Sequence, residues 1–377
     1  MFDKFDIVVI GAGLYGSVIA EQASRDGFKV AVIESRDHIG GNCYTETDAE
    51  TGINVHKYGA HIFHTNSKDI WDYINRFTEF NNYKHKVKTR VGNKSFSMPI
   101  NLDTINSFFN AGMVPIEAEK FIKSLQTNTA EPQNFEEQAL ALIGQDMYDA
   151  FIRGYTVKQW ERDPKELPAS IIKRLPVRTN YDDNYFFDRW QGIPVDGYTP
   201  IFEKMLSHEN IEVFLNTSWD AVKLQCQDKL VIYTGAIDRF YDYCYGDLNW
   251  RTLDFVTDTH DVNDFQGCVA MNYADEHVPY TRQIEHKHFH PEKSSGAKTI
   301  VTTEYSRTAT REDTPYYPVN TDEDRAKYEL YREKAEQETN VLFGGRLGEY
   351  RYYDMHQVIG SALAAYKNKI KSRLSNN

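Results

Sequence analysis

Four consecutive apolar residues, Ile7-Val8-Val9-Ile10, run straight into Gly11-Ala12-Gly13-Leu14-Tyr15-Gly16, and this opening constrains the chain more than any other stretch. A polar-faced segment to about Asp26 and a second apolar run, Val30-Ala31-Val32-Ile33, follow, closed by Glu34. The β-branched runs have the length of buried parallel strands. The first glycine permits a tight turn, the second lets backbone N–H groups approach a pyrophosphate, and the third seats a helix against the strand. Glu34 stands where a carboxylate accepts hydrogen bonds from a ribose 2′-OH and repels a 2′-phosphate. A lone glycine motif is only a tight turn, but here strand, helix, second strand and acid fall at the required spacing. The segment therefore predicts dinucleotide binding. Arg36-Asp37-His38-Ile39-Gly40-Gly41-Asn42 adds a basic residue and a second glycine turn, for which a nicotinamide site has no obvious use. An FAD folded across the same sheet does, and flavin is the favoured dinucleotide.

At 377 residues more than one core is expected, in two or three lobes. The net charge of −12 argues against nucleic acid or an anionic membrane as partner, so an anionic ligand must be met by locally placed arginines. The first residues show no signal-peptide pattern, and no apolar run approaches the ~20 residues of a membrane span. Cys43, Cys226, Cys244 and Cys268 form no Cys-x-x-Cys pair, which reads as reduced thiols in a cytoplasmic protein. Aromatic residues make up 14% of the chain, and several cluster beside arginines, a composition suited to stacking on a base or sugar.

Residues 43–54 read as a polar loop. His56, His61 and His64 share no carboxylate or thiolate in their stretch, so a loop against a flavin ring is preferred to a metal site. Residues 67–79 have helical spacing, and 83–98 read as a hairpin about Gly92-Asn93. From Leu102 to about Ile172 helical periods dominate, bounded by Pro99 and Pro176. By spacing alone Phe151, Tyr155 and Trp160 are a helix packing stripe, and Arg174 and Arg178 are surface charges. Residues 211–215 and 230–235 read as strands returning to the dinucleotide domain, and 245–316 as an antiparallel sheet lobe. His286, His288 and His290 fall on one face of a strand, solvated rather than metal-binding. Residues 340–346 read as a strand with a glycine turn, ahead of a helix starting near Asp354 that aims its positive end at whatever faces it, with Arg346 adding a full charge.

Taken in order, GAGLYG (11–16), RDHIGGN (36–42), HKYGAHIFHT (56–65), GYTVKQW (154–160), IIKRLPVR (171–178), DDNYFFDRWQGIPV (182–195), VPYTRQIEHKHF (278–289), PYYPV (315–319) and FGGRLGEYRYYDMHQV (343–358) resemble the bacterial UDP-galactopyranose mutase family along nearly the whole chain. The resemblance implies an α/β fold: a discontinuous Rossmann-like FAD-binding domain (1–82, 195–240, 318–377), a helical domain (100–176) and a six-stranded antiparallel sheet domain (83–99, 177–194, 241–317). It implies an isomerase that interconverts UDP-galactopyranose and UDP-galactofuranose through attack of reduced FAD N5 on the anomeric carbon, without net redox change. Phe151, Tyr155 and Trp160 then correspond to a uridine-side wall. Arg174 and Arg282 correspond to diphosphate clamps, Arg174 on a closing loop. Tyr185, Tyr317 and Tyr352 are phosphate- and sugar-side tyrosines, and Asn272 and His85 are further substrate contacts. Arg174, Arg282, His64 and Tyr352 form the catalytic set. The cofactor set is Gly11, Gly13, Tyr15, Gly16, Glu34, Ser35, Gly41, Asn42, His61, Ile62 and His64 from the first part of the chain, with Arg346, Asp354, Met355, His356 and Gln357 from the last. No metal is implied. A homodimer, a reductant such as NAD(P)H and a role in cell-surface polysaccharide synthesis follow from the resemblance alone. The chain departs from the pattern at Glu161, where glycine is usual, at Asp196 and Gly348 (glycine and alanine), at His85, where some members have asparagine, and in extra loop at 46–51. The competing readings are an FAD-dependent oxidoreductase of amine-oxidase-like plan and an idle flavin or UDP-sugar binding protein.

Overall fold

In the computed structural model, which describes residues 2–172, 176–293 and 296–375, the strand Ile7–Ile10 lies at the centre of a five-stranded parallel sheet. Val30–Ile33 and then Ile211–Phe214 lie to one side, Leu230–Tyr233 and then Val341–Phe343 to the other. Both central strands are buried at every residue, which is why they read as unbroken apolar runs. The helices Leu14–Arg25, Thr199–Met205 and Met355–Ala365 share the core on one face, and Phe2, Phe5 and Val222 pack the other. A Cβ on Gly16 would lie 2.0 Å from the Gly11 carbonyl oxygen, so only glycine lets this helix sit on the turn.

A second sheet has seven strands, ordered Tyr317–Pro318, Trp250–His260, Thr299–Thr308, Arg282–Glu285, Ala270–Tyr273, Val87–Val91 and Lys94–Met98. Two features correct the expectation of six antiparallel strands. The two-residue strand Tyr317–Pro318 adds an edge, and Ala270–Tyr273 pairs in parallel with Val87–Val91. The parallel pair arises because these strands are separated by the whole helical lobe, which supplies the long crossover such pairing requires. The hairpin 87–98 turns at Gly92-Asn93, with Gly92 at φ 57°.

The helical lobe contains Leu102–Phe109, Pro115–Leu125, Phe135–Met147 and Gly154–Trp160. Asn101 and Asn134 cap two of these helices by accepting the backbone N–H of Thr104 and Glu137. Gly154–Trp160 is tied to the second sheet at both ends. A Cβ on Gly154 would meet the Ala274 carbonyl at 2.3 Å, and the Lys158 ammonium donates to the carbonyls of Tyr273 and Tyr280 at 2.7 and 2.9 Å. Glu161 ends the helix in the left-handed region, φ 47°, ψ 38°, which explains the glycine usual there. Its carboxylate offsets the strain by binding Arg251, 1% exposed, at 2.8 Å, together with the Thr308 N–H at 2.9 Å. Arg251 also donates to the Gln159 carbonyl and the Thr308 and Ser306 hydroxyls, so each of its three nitrogens has a partner.

Two other local expectations are corrected. Residues 43–54 carry a short hairpin, Thr45–Thr47 with Asn54–His56, rather than plain loop, because Thr45 anchors it to Tyr198 and Thr199. His286–Phe289 is a 3₁₀ turn rather than strand, so its histidines do not share a face: His286 bonds Thr302, whereas His288 faces Glu285 and Asp264. Among the described residues no helix is long and apolar enough to cross a membrane.

His56, His61 and His286 interlock where the first hairpin meets the second sheet. His61 N–H donates to His56 Nδ1, His56 N–H donates to His286 Nδ1, and the His56 ring stacks on Phe289 at 4.3 Å. Burial holds all three neutral, pushing His61 down to about 4, His286 to about 3 and His56 well below its usual value.

Glu161→Gly relieves backbone strain but leaves Arg251 without its carboxylate, and should lower stability by about 1–2 kcal/mol in denaturant titration. The folded-state values of the three histidines lie below their unfolded value, so their stabilisation is complete above pH 6.5 and is lost as pH falls toward 4. Each contributes a slope of about 1.4 kcal/mol per pH unit at most. Denaturation midpoints at pH 7 and pH 5 measure this, and His286→Gln should flatten the difference.

Candidate functional site

A cleft of about 790 Å³ runs along the carboxyl ends of the parallel strands. Gly11, at φ 106°, turns beneath it, and a Cβ on Gly41 would stand 3.0 Å from the Gly13 Cα, so the two glycine turns touch. Glu34 joins them, accepting the Ala12 N–H at 2.8 Å and the Arg36 N–H at 2.9 Å. A carboxylate has about four acceptor sites, which leaves capacity for a ribose hydroxyl. Arg36 stacks over Tyr58 at 4.3 Å and donates through Nη2 to Asn42, while its Nη1 is buried without a partner among the described residues. Trp250 Nε1, on the same wall, is equally orphaned. Unmet cationic and neutral donors beside paired glycine turns fit a dinucleotide with an anionic pyrophosphate and a polar base, and FAD meets both.

Gly11, Gly13, Tyr15, Glu34, Ser35, Gly41, Asn42, His61, Arg346 and Met355 line this cleft. Gly16 lies behind the turn, and Ile62 packs on the core of the helical lobe. Asp354 is the N-cap of Met355–Ala365, its N–H donating to Gln357 Oε1 at 2.8 Å, and His356 is in the first turn. The Asp354 carboxylate offsets the positive helix end, which leaves Arg346 as the full positive charge there. The Arg346 guanidinium is oriented by the carbonyls of Tyr353 and Tyr316. Trp219, Thr234 and Trp250 also line the cleft. They come from segments without a motif, and only the strand ending at Gly235 hinted at them.

Next to this cleft the second sheet presents a cross-strand row. Arg282 stands directly opposite Asn272 on one neighbouring strand and Glu304 on the other. Its Nη2 donates to the Tyr155 hydroxyl at 2.9 Å, and Nε lies 3.5 Å from Glu304. Burial works against the guanidinium's charge, but Tyr155, Glu304 and Tyr317 outweigh it and hold the pKa above its ordinary value. Burial raises the Glu304 carboxyl, with Arg282 opposing. Glu304 carried no signal in sequence, because only strand register pairs it with Arg282. Tyr317 and Tyr352 stack at 5.9 Å, and Arg346 lies over the Tyr352 ring at 4.8 Å, linking row and cleft. His85 accepts or donates at Nδ1 to the Tyr83 hydroxyl, meets Tyr185 edge-on at 5.4 Å, and is pushed down to about 3 by burial, with Arg282 and His64 adding to it.

Of the three helical aromatics, Tyr155 reaches Arg282. Phe151, 3% exposed, packs on Phe96 and Phe108, and Trp160 is half-buried against the same core. Arg174 lies outside the described residues. Arg178, read as a surface charge, is 6% exposed instead. It donates to the carbonyls of Asp182 and Asn184 and stacks on Phe187, shaping the loop that carries Tyr185.

Residues 150–352 match the sequence pattern of the UDP-galactopyranose mutase family, and residues 9–77 that of an NAD(P)-binding Rossmann-like domain. A probable UDP-galactopyranose mutase of Klebsiella pneumoniae is 47% identical, over 95% of this chain and 93% of its own. A dTDP-fucopyranose mutase of Escherichia coli is 46% identical, over 97% of this chain and 98% of its own. A crystal structure of reduced UDP-galactopyranose mutase superposes with a TM-score of 0.74 at 16% identity, covering 99% of this chain and 94% of that one, and shares the fold. With glycine turns and orphaned donors that fit FAD, and with this extent of sequence identity, the chain belongs to the UDP-galactopyranose mutase family of FAD-dependent isomerases.

Proposed function

We propose that this protein interconverts UDP-galactopyranose and UDP-galactofuranose with no net redox change. The observation that carries the reading is the convergence of Arg282, Tyr155, Tyr317 and Tyr352 beside the dinucleotide cleft. Reduced FAD, when bound, supplies a nucleophilic nitrogen for the anomeric carbon. The chain's own residues hold the rest of the substrate. Arg282 grips the diphosphate by bidentate hydrogen bonds and steadies it as leaving group, joined by Arg174. Tyr155 and Trp160 form the base side, with Phe151 bracing them from behind. Tyr185, Tyr317 and Tyr352 offer hydroxyls to phosphate and sugar. Asn272, whose buried Oδ1 has no partner among the described residues, offers an acceptor. Neutral His85 adds a polar contact without a charge that would compete with Arg282. An amine substrate would have no use for a guanidinium at this point, which disfavours the amine-oxidase plan. Residues 100–176 act in this reading as the substrate-side lobe. The setting is a cytoplasmic homodimer, reduced by a donor such as NAD(P)H, serving cell-surface polysaccharide synthesis.

A second reading is supported by the relative named dTDP-fucopyranose mutase, whose identity to this chain nearly equals that of the galactose enzyme. The same diphosphate grip serves either sugar nucleotide.

The test is to incubate the purified yellow protein with UDP-galactofuranose or a dTDP-fucose substrate, with and without dithionite, and to separate the products. Ring interconversion only after reduction, with no reductant consumed per turnover, is expected. Flavin oxidation stoichiometric with product would replace the mutase with an oxidoreductase, and the faster substrate decides between the two sugars. Arg282→Ala should lower kcat by about 10²–10³-fold while FAD absorbance is retained, and Arg282→Lys should recover only part of the loss.

A further inference from the structure

His64 lies on the strand Phe63–Thr65, paired with Trp190–Gly192. Its ring stacks on Phe186 at 3.7 Å, and Phe186 lies 6.0 Å from His85 on its way to the Arg282 row. The charged or titratable groups facing it are Asp188 from the loop before its partner strand, Asp354 and His356 from the start of the C-terminal helix, and His85. One of these is bonded to it. Asp188 Oδ2 lies 2.5 Å from His64 Nδ1.

The surroundings of Asp188 fix which of its oxygens meets His64. Asn66 Oδ1 accepts the Arg189 N–H at 2.8 Å, so the Asn66 amide must turn its NH₂ group to the other Asp188 oxygen. Gln191 Nε2 holds the Asp188 carbonyl at 3.0 Å, fixing the backbone of the same residue. An ionised carboxylate only accepts, so the hydrogen between Asp188 and His64 sits on Nδ1. When the ring is uncharged its lone pair is then on Nε2, because the Nδ1 hydrogen is committed to Asp188.

We propose that Asp188 is a positioning residue that, with Asn66, holds His64 as the Nδ1–H tautomer and so presents Nε2 as a hydrogen-bond or proton acceptor beside His356, whose neighbour Met355 lines the cofactor cleft. This rests on the mutase reading, in which the sugar reacts beside that cleft. A neutral acceptor there is fixed in place before substrate arrives and needs no reorganisation during turnover. Asp188→Asn removes the obligate acceptor. The amide can donate to Nδ1, and the hydrogen moves to Nε2.

The experiment uses holoenzyme labelled with ¹⁵N-histidine near neutral pH, read by imidazole nitrogen shifts alongside kcat and KM. Wild type should show His64 as the Nδ1–H form. Asp188→Asn should convert it to the Nε2–H form and lower kcat by about 10²-fold with KM little changed. An unchanged tautomer, or an unchanged kcat, overturns the proposal. Should Asp188→Asn not fold, the wild-type spectrum decides, because an Nε2–H form there excludes the arrangement. If wild type turns over no nucleotide sugar but Asp188→Asn still switches the tautomer, the mutase reading has failed and the positioning role has not.

Discussion

Parallel strands cannot be joined by tight turns, and the layout of this molecule follows from that constraint. Its five-stranded sheet draws strands from residues 7–33, 211–233 and 341–343, so the chain must leave the sheet twice and return. The first excursion builds the helical lobe and the hairpin Val87–Val91/Lys94–Met98, and the second builds most of the seven-stranded sheet. Both excursions leave from the carboxyl edge of the parallel strands, after Ile33 and Tyr233, where the glycine turns lie. The cofactor cleft and the Arg282 row adjoin because the crossovers place them there.

The joints between these parts are polar. Arg251 with Glu161, Lys158 with the Tyr273 and Tyr280 carbonyls, and Arg282 with Glu304 and Tyr155 each put a cation where burial opposes charge. Such groups are stable only when donors and acceptors are matched, and an apolar joint of equal area would tolerate more orientations. Around Arg251 each of the three guanidinium nitrogens is used. At Arg282, Nη2 is fixed by Tyr155 and Nε lies 3.5 Å from Glu304, and under the proposed function the guanidinium also meets the diphosphate. Under the proposed function the first joint is complete in itself, and the second is complete only with a ligand.

Several elements were legible because their signal is local. Ile7–Ile10, Gly11, Gly13 and Glu34 announce a dinucleotide site through strand length, turn geometry and an acid at fixed spacing. Gly92-Asn93 fixes its hairpin, and the apolar periods of 102–147 fix their helices. Glu161 was visible as a departure, and its left-handed backbone gives the reason. The misread stretches lack such periodicity. The alternating histidines at 286–290 resemble a strand, but tertiary bonds to Thr302 and Glu285 draw them into a 3₁₀ turn. The loop at 43–54 becomes a hairpin through Thr45's bonds to a segment about 150 residues away.

The sequence by itself determined the parallel-strand core, the glycine cradle, the helical lobe and, through motifs in one order, the family. Those depend on spacings of a few residues, and chain geometry converts them directly into turns and faces. Only the tertiary structure decided that Tyr155 rather than Phe151 reaches Arg282, that Glu304 and Asn272 flank it, and that Asp188 holds His64. The Tyr155–Arg282 and His64–Asp188 pairs join residues more than a hundred positions apart, and the other two join neighbouring strands, so their meeting is set by crossover path and sheet register, for which no local pattern codes.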